Sequence, residues 1–400
     1  MEKAVLVAVT DKMSPSAGAS LDELEDLLKT AGGTCVGRMV QTREHPSSGT
    51  YLGKGKLEEL AAMVQGVQAD LVVCDDELSP AQMKHMQDAL PCAVLDRTVL
   101  ILDIFASHAT TNEGKLQVEL AQLRYQATRL TGYGTMMSRT GGGIGTRGPG
   151  EKKLEVDKRK IKRRIYQLKK ELEKMVRSRD IMRQKREKNQ FYVVAIVGYT
   201  NAGKSTLLHA LTGADIFRAD MLFATLDPTT RKFTLKNGET ILLTDTVGFI
   251  NKLPHHLIRA FSSTLEEAKY ADLILQVCDA SDVEYDRKQQ VVYETLKELG
   301  VVGKPMITVF NKMDQVPENE IRKDPRADAV VKISAKTGFG LERLTDKIEE
   351  ISQERYERIS TVFPYENAGE IAKIRSLGIV EKEEYREDGI YIEGKVPRKL

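Results

Sequence analysis

Cysteine is scarce: four occur in 400 residues, Cys35, Cys74, Cys92 and Cys278, and no two form a CxxC pair. That spacing suggests neither a disulfide framework nor a zinc site, so buried free thiols are expected. Histidine is almost as rare, with six, and none falls into a metal-ligand or triad pattern; His255-His256 has no cysteine or carboxylate cluster to complete a zinc site. No apolar run approaches the length needed to cross a bilayer, so no membrane span is expected. Met1-Glu2-Lys3-Ala4-Val5 lacks the charged start and long apolar stretch of a signal peptide, and a cytoplasmic chain is expected. RRM and zinc-finger signatures are missing as well. What is present is a globular composition, 41% hydrophobic and 30% charged, long enough for about two to four domains.

Charge is unevenly placed. The whole chain carries +2, yet residues 151 to 190 hold 17 Lys or Arg against 7 Asp or Glu. The remainder is therefore acidic, and the asymmetry assigns one element to a polyanionic partner.

Short apolar runs at Val5 to Val9, Val36 to Val40, Leu71 to Cys74 and Ala93 to Leu95 alternate with helical patterns such as Leu21, Leu24, Leu27, Leu28. This predicts a small parallel α/β domain over residues 1–112. Within it Gly53-Lys54-Gly55-Lys56 opens a helix; it reads either as a phosphate-holding turn or as a plain glycine turn. Leu116, Leu120, Leu123, Ala127, Leu130 and then Ile161, Ile165, Leu168, Leu172, Met175 step by four and three, the spacing of a helix-pairing seam. Eight glycines with Arg139, Arg147 and Pro149 separate them. The pattern predicts an antiparallel helical hairpin over 113–190 with a glycine-rich loop at 131–150, its second arm carrying the basic run. Cationic side chains on phosphates release counterions, so nucleic-acid contact is expected, RNA ahead of DNA because a deformable loop suits irregular structure.

The chain then changes character. Phe191 to Val197 reads as a buried strand and leads into Gly198-Tyr199-Thr200-Asn201-Ala202-Gly203-Lys204-Ser205-Thr206, a GxxxxGK[ST] loop in strand-loop-helix context. Its backbone N–H groups wrap phosphates, Lys204 neutralises β and γ oxygens, and Ser205 ligates Mg²⁺. Ile241 to Asp245 forms a second strand ending in Asp245-Thr246-Val247-Gly248: Asp245 reaches Mg²⁺ through water, and the Gly248 N–H senses a γ-phosphate. A third, Met306 to Phe310, ends in Asn311-Lys312-Met313-Asp314. Asp314 accepts from guanine N1–H and its 2-amino group, an arrangement adenine does not offer; Asn311 braces the loop and Lys312 covers the base. The fourth, Ala329 to Ile333, ends in Ser334-Ala335-Lys336, where the Ala335 N–H meets the guanine 6-oxo group. A P-loop kinase or ATPase gains nothing from this guanine clamp.

On these motifs, residues 191 to 352 resemble a Ras-like, translation-factor-class GTPase domain, and a GTPase domain is expected over 191–357. Phe223-Ala224-Thr225-Leu226-Asp227-Pro228-Thr229-Thr230-Arg231, the tip Gly141 to Gly150, and Gly198 to Thr206 resemble more narrowly the HflX ribosome-associated GTPases of the Obg–HflX branch. The resemblance implies GTP/GDP and Mg²⁺ as cofactors, with Thr225 completing metal coordination beside Ser205; Thr229 and Thr230 compete for that place. It implies Lys204, Thr225 and Gly248 as catalytic residues, with Phe223 to Asp227 forming part of the nucleotide-binding set. It implies a monomer acting on the 50S subunit and 70S ribosome, with its hairpin on 23S rRNA. A small C-terminal domain, 358–400, would lie near the ribosomal GTPase-associated region. Parting of stalled or idle ribosomes is the implied outcome; an RNA-remodelling NTPase is the alternative. Asn201 stands where some GTPases hold K⁺. Phe249 follows Gly248 where many GTPases carry a water-orienting glutamine, so slow hydrolysis awaiting a partner is expected.

Overall fold

The computed structural model describes residues 1–11, 17–140, 149–188, 191–213, 222–223, 228–254, 257, 267–317 and 322–397. Its first sheet joins β1 (Lys3–Thr10), β2 (Thr34–Thr42), β3 (Leu71–Cys74) and β4 (Ala93–Asp96), all parallel, in the order β2-β1-β3-β4. Strand side chains alternate between faces. Ala4, Leu6 and Ala8 therefore join one core with α1 (Ala17–Thr30) and α4 (Arg97–His108), while Val5 and Val7 join another with α2 (Lys54–Val67) and α3 (Pro80–Ala89). Covering both faces is what a parallel sheet requires. Ser79 and Gln82 make a reciprocal capping box on α3, and Asp96 caps α4. Gly53 caps α2, and its N–H already donates to Gln41 Oε1 at 2.8 Å.

α5 (Asn112–Thr140) and α6 (Pro149–Lys188) pack against each other. Leu116, Leu120 and Leu168 are buried between them, flanked by Leu123, Ile165, Leu172 and Met175. Arg164 clamps Glu119 across the seam with two bonds of 2.7 and 2.8 Å. Helix continues to Thr140 and resumes at Pro149, so less of 131–150 is loop than its glycine count suggests. Most of those glycines fall at 141–148, outside the described residues, whereas 131–140 contains only two and is otherwise built of tolerated helix residues.

The second sheet has six strands in the order β10-β9-β8-β5-β7-β6. β5 (Tyr192–Gly198), β7 (Thr240–Asp245), β8 (Leu273–Asp279), β9 (Met306–Asn311) and β10 (Ala329–Lys332) are parallel, and β6 (Thr229–Thr234) is an antiparallel edge. α7 (Lys204–Thr212) and α9 (Leu341–Gln353) bury Leu207, Leu208, Leu344 and Ile348 against one face, and α8 (Tyr285–Glu298) sets Val292 and Leu296 against the other. Both faces of this sheet are thus covered by helices. The β5, β7 and β9 carboxyl ends converge, which is where open parallel sheets place ligands.

A third, antiparallel sheet follows: β11 (Tyr356–Phe363), β12 (Ile379–Arg386) and β13 (Gly389–Pro397), ordered β11-β13-β12, with α10 (Ala368–Leu377) on it. Arg355 lies over the rings of both Tyr192 and Tyr356, with centroids 4.8 Å away, and pairs with Glu239. Among the described residues no helix is long and apolar enough to cross a membrane.

Candidate nucleotide site

Gly198 ends β5 with φ +153°, and a Cβ there would lie 2.3 Å from the Val277 carbonyl. Gly203 has φ +92°, and its Cβ would lie 2.3 Å from Asn311 Nδ2. Only glycine fits these positions. Asn201 between them is also left-handed, at φ 58°, and exposed. The loop thereby turns into α7, whose first residue is Lys204.

Lys204 is buried, and its ammonium donates to the Tyr199 carbonyl at 2.8 Å. Burial pulls its pKa down to about 8, with Asp245 pushing in the opposite direction. Ser205 Oγ donates to Asp245 Oδ2 at 2.7 Å, with Asp245 fully buried at the β7 end. Thr206 is half-buried on α7. Thr246 turns inward, its N–H and hydroxyl both reaching the Ile196 carbonyl, and Val247 is buried.

Gly248 closes on the phosphate loop. A Cβ there would lie 2.8 Å from Thr200 Cγ2, 2.9 Å from Thr200 Cα and 3.0 Å from Lys204 Nζ. The next residue locks the arrangement: Phe249 N–H donates to the Gly198 carbonyl at 3.0 Å and the Phe249 carbonyl accepts from Thr200 N–H at 2.8 Å. The Phe249 ring is 1% exposed, so its side chain is part of the core and presents no polar group.

Asn311, at the end of β9, bonds in two directions. Its Nδ2 donates to the Ala202 carbonyl and its Oδ1 accepts from Ala335 N–H, each at 2.9 Å. One buried side chain thus joins phosphate loop, β9 and the segment after β10. Lys312 is left-handed at φ 62°, and its ammonium is held 2.7 Å from Asp279 Oδ2. Met313 is partly buried, Asp314 is exposed on the 3₁₀ turn Met313–Gln315, Ser334 and Ala335 are buried, and Lys336 is exposed. All four motifs therefore meet at one end of the sheet.

Ala224, Thr225, Leu226 and Asp227 lie outside the described residues, as do His255 and His256. Phe223 is described: left-handed at φ 56°, buried, and edge-on to Phe105 with centroids 4.6 Å apart. Of the other threonines, Thr229 stands opposite Asp245 in the β6–β7 pairing, and the Thr230 hydroxyl shares a hydrogen bond of 3.0 Å with Thr244.

A family model described as "50S ribosome-binding GTPase" matches residues 193–312, and models described as "GTP-binding GTPase N-terminal" and "GTP-binding GTPase Middle Region" match 18–106 and 108–186. The chain is 56% identical over 399 residues to the GTPase HflX of Lacrimispora saccharolytica, covering 100% of this chain and 94% of the relative. It is 41% identical to the GTPase HflX of Escherichia coli, covering 97% and 92%. The chain belongs to the GTPase HflX family. A GTP-binding protein from Sulfolobus solfataricus, solved with GDP, is 27% identical over 88% of this chain and 99% of its own, with a TM-score of 0.45. As an HflX-family member this chain is a GTPase that binds GTP and GDP.

The sequence pattern of this HflX-family chain does not reveal the contacts of the Tyr199 hydroxyl. It donates to Glu23 of α1 and accepts from Asn251 N–H at 2.6 Å, tying the phosphate loop to the first domain. Lys252, left-handed at φ 53°, pairs with Asp75 and Asp76 beyond β3. Nothing in the spacing of Glu23, Asp75 or Lys252 announces a contact across 176 or 177 positions of chain. Asp279 had a weak signal, since it ends a buried strand just as Asp245 and Asn311 do. A cavity of about 420 Å³ opens between α1, Tyr199 to Ala202 and α8. Asn311, Asp314 and Ala335 are not in its lining, so it lies on the Tyr199–Ala202 side of the loop, away from the residues that end β9 and follow β10.

Proposed function

We propose that this HflX-family protein is a GTP-dependent switch on the large ribosomal subunit, slow alone and faster when bound there, and that its GTP state parts 70S ribosomes. The observation that carries the reading is Phe249: where a water-orienting side chain would stand, the structure has a buried ring held between Gly198 and Thr200. An apolar group cannot orient the attacking water, so a partner must complete or rearrange the site.

Guanine is held by Asp314, with Asn311 bracing, Lys312 over the base and Ala335 N–H on the 6-oxo group. The β and γ phosphates are held by Lys204 and the loop N–H groups of Gly198 to Thr206, with Gly248 reporting the γ-phosphate. Ser205 and Asp245 converge hydroxyl and carboxylate oxygens, the hard donors that Mg²⁺ takes. Ser205 would hold that ion directly, Thr225 would join it, and Asp245 would bind through water; the ion would supply positive charge to offset that of the phosphates. Asn201 would hold K⁺, so hydrolysis is to be compared in potassium and sodium buffers.

The division of labour follows the chain: 1–112 beside the switch, 113–190 on 23S rRNA, 191–357 turning over GTP, and 358–400 near the ribosomal GTPase-associated region. The family model's description as ribosome-binding and the one-signed charge excess of α6 support this. Sedimenting 70S ribosomes with the protein and GTP, a non-hydrolysable analogue or GDP tests it. Subunits are expected with GTP and the analogue; intact 70S under all three conditions sinks the splitting reading.

A further inference from the structure

The carboxyl end of the first sheet is crowded with acids that are paired to cations from three different parts of the chain. Asp75 is 1% exposed and Asp96 is fully buried. They stand at the ends of the neighbouring strands β3 and β4. Asp75 takes Arg97 at 2.8 Å, the Ser20 hydroxyl at 2.6 Å and the Lys252 ammonium. Asp76 takes Lys252 at 2.7 Å and the Tyr51 hydroxyl at 2.6 Å. Asp96 takes Arg129 of the hairpin arm at 2.6 Å, and the hydroxyl of Tyr125, also on α5, at 2.9 Å. Arg97 also pairs with Glu23, the same carboxylate that receives the Tyr199 hydroxyl of the phosphate loop.

The two halves of this edge are joined by backbone. The Leu78 N–H donates to Asp96 Oδ2 at 3.1 Å, so the same oxygen that receives Arg129 also fixes the segment 75–78 that seats Lys252. Buried carboxylates this close tolerate charge only while their cations stay in place. Moving one cation changes the field and the hydrogen-bond geometry felt by the next, because a buried polar network responds as a unit.

We infer that this carboxylate edge couples the hairpin arm to the nucleotide switch. Arg129 and Asp96 on the arm side, and Asp75, Asp76 and Lys252 on the switch side, are positioning residues for GTP turnover. Lys252 lies four residues beyond Gly248, and Asn251 is held by Tyr199, so the seat of Lys252 sets how closely Gly248 and Phe249 lie on the phosphate loop. A load on the arm alters the Arg129 contact, shifts 75–78, and resets that distance. The inference rests on the proposed roles of Gly248 as γ-phosphate reporter and of the arm as the RNA-contacting element.

A double-mutant cycle in the full chain tests it: Arg129→Gln, Lys252→Gln and the pair, with Arg164→Gln as the arm control that touches only the seam. The readouts are the ratio of GTP-analogue to GDP affinity and basal hydrolysis, both measured without ribosomes. Each single variant at the edge is expected to move the ratio about threefold or more, and the pair is expected to match the larger single effect, since residues in one network do not add. Arg164→Gln is expected to match the parent. Arg129→Lys keeps the charge and guards against misfolding of the glutamine variant; it is expected to restore at least half of the shift on a logarithmic scale. Nucleotide readouts unchanged by Arg129→Gln, or effects that multiply in the pair, overturn the inference. Failure of ribosomes to stimulate the parent protein instead counts against the ribosomal reading and leaves the cycle decisive.

Discussion

The Phe249 carbonyl accepts the Thr200 N–H at 2.8 Å, while one residue earlier Gly248 has no room for a methyl group against Thr200 Cα at 2.9 Å. Gly248→Ala therefore forces backbone from backbone. On the proposed role of Gly248 as γ-phosphate reporter, GDP affinity is expected to stay within about threefold and hydrolysis to fall by at least about tenfold, since a displacement of roughly an ångström would take the N–H out of reach of the phosphate. Fluorescent-nucleotide titration and phosphate release measure the two.

Asn311 and Asp314 separate affinity from stability. Asn311→Ala orphans the buried Ala202 carbonyl and Ala335 N–H, at about 1–3 kcal/mol each, so both thermal midpoint and guanine-nucleotide affinity are expected to fall. Asp314 is exposed; Asp314→Asn is expected to weaken guanine binding while leaving the melting curve in place. A shared loss of stability refutes the separation.

Asp279 is expected to act through Lys312. Asp279→Asn keeps shape but releases the ammonium now held at 2.7 Å, so GDP and GTP are expected to bind more weakly by the same factor, about three- to tenfold. In a Lys312→Ala background the substitution is expected to do little more. Unequal effects on the two nucleotides contradict this role.

The pH dependence has a defined sign. Lys204 is held down to about 8 in the free site by burial, and phosphates arriving beside it favour the charged form. Nucleotide affinity is expected to be fullest below pH 8 and to decline above it, with proton uptake on binding near pH 8.5. Calorimetry in buffers of different ionisation heat reads that uptake directly, and no buffer dependence contradicts it.

For the arm, neutralising exposed Lys162, Arg163, Lys169 and Lys170 to glutamine is expected to flatten the dependence of log affinity for RNA on log salt, by about 0.7–0.9 for each phosphate no longer neutralised. Equal weakening at every salt concentration points away from a phosphate-binding arm.

Much of this was legible in the chain because the relevant signals are local. The alternation of Val5 to Val9 with the leucines of α1, the four-and-three step from Leu116 to Leu123, and the glycines at 198 and 203 each encode geometry within a few residues. Asn311 was readable as a brace because its motif is contiguous. The hydrogen bond of Tyr199 to Glu23 and the ion pair of Lys252 with Asp75 were not legible, since a contact across well over a hundred residues leaves no periodicity or spacing behind. The helical state of 131–140 was hidden by averaging its two glycines with the six that follow.

α6 is 40 residues long, and at 1.5 Å per residue it measures about 60 Å. A rod of that length magnifies angle: a tilt of about 5° about one end sweeps the other through about 5 Å. Conversely, a displacement of several ångströms at the tip reaches the base as a rotation of a few degrees, and that fraction of a turn is the entire signal available there. Whatever reads it must be stiff and closely fitted, because a soft joint would absorb so small a rotation.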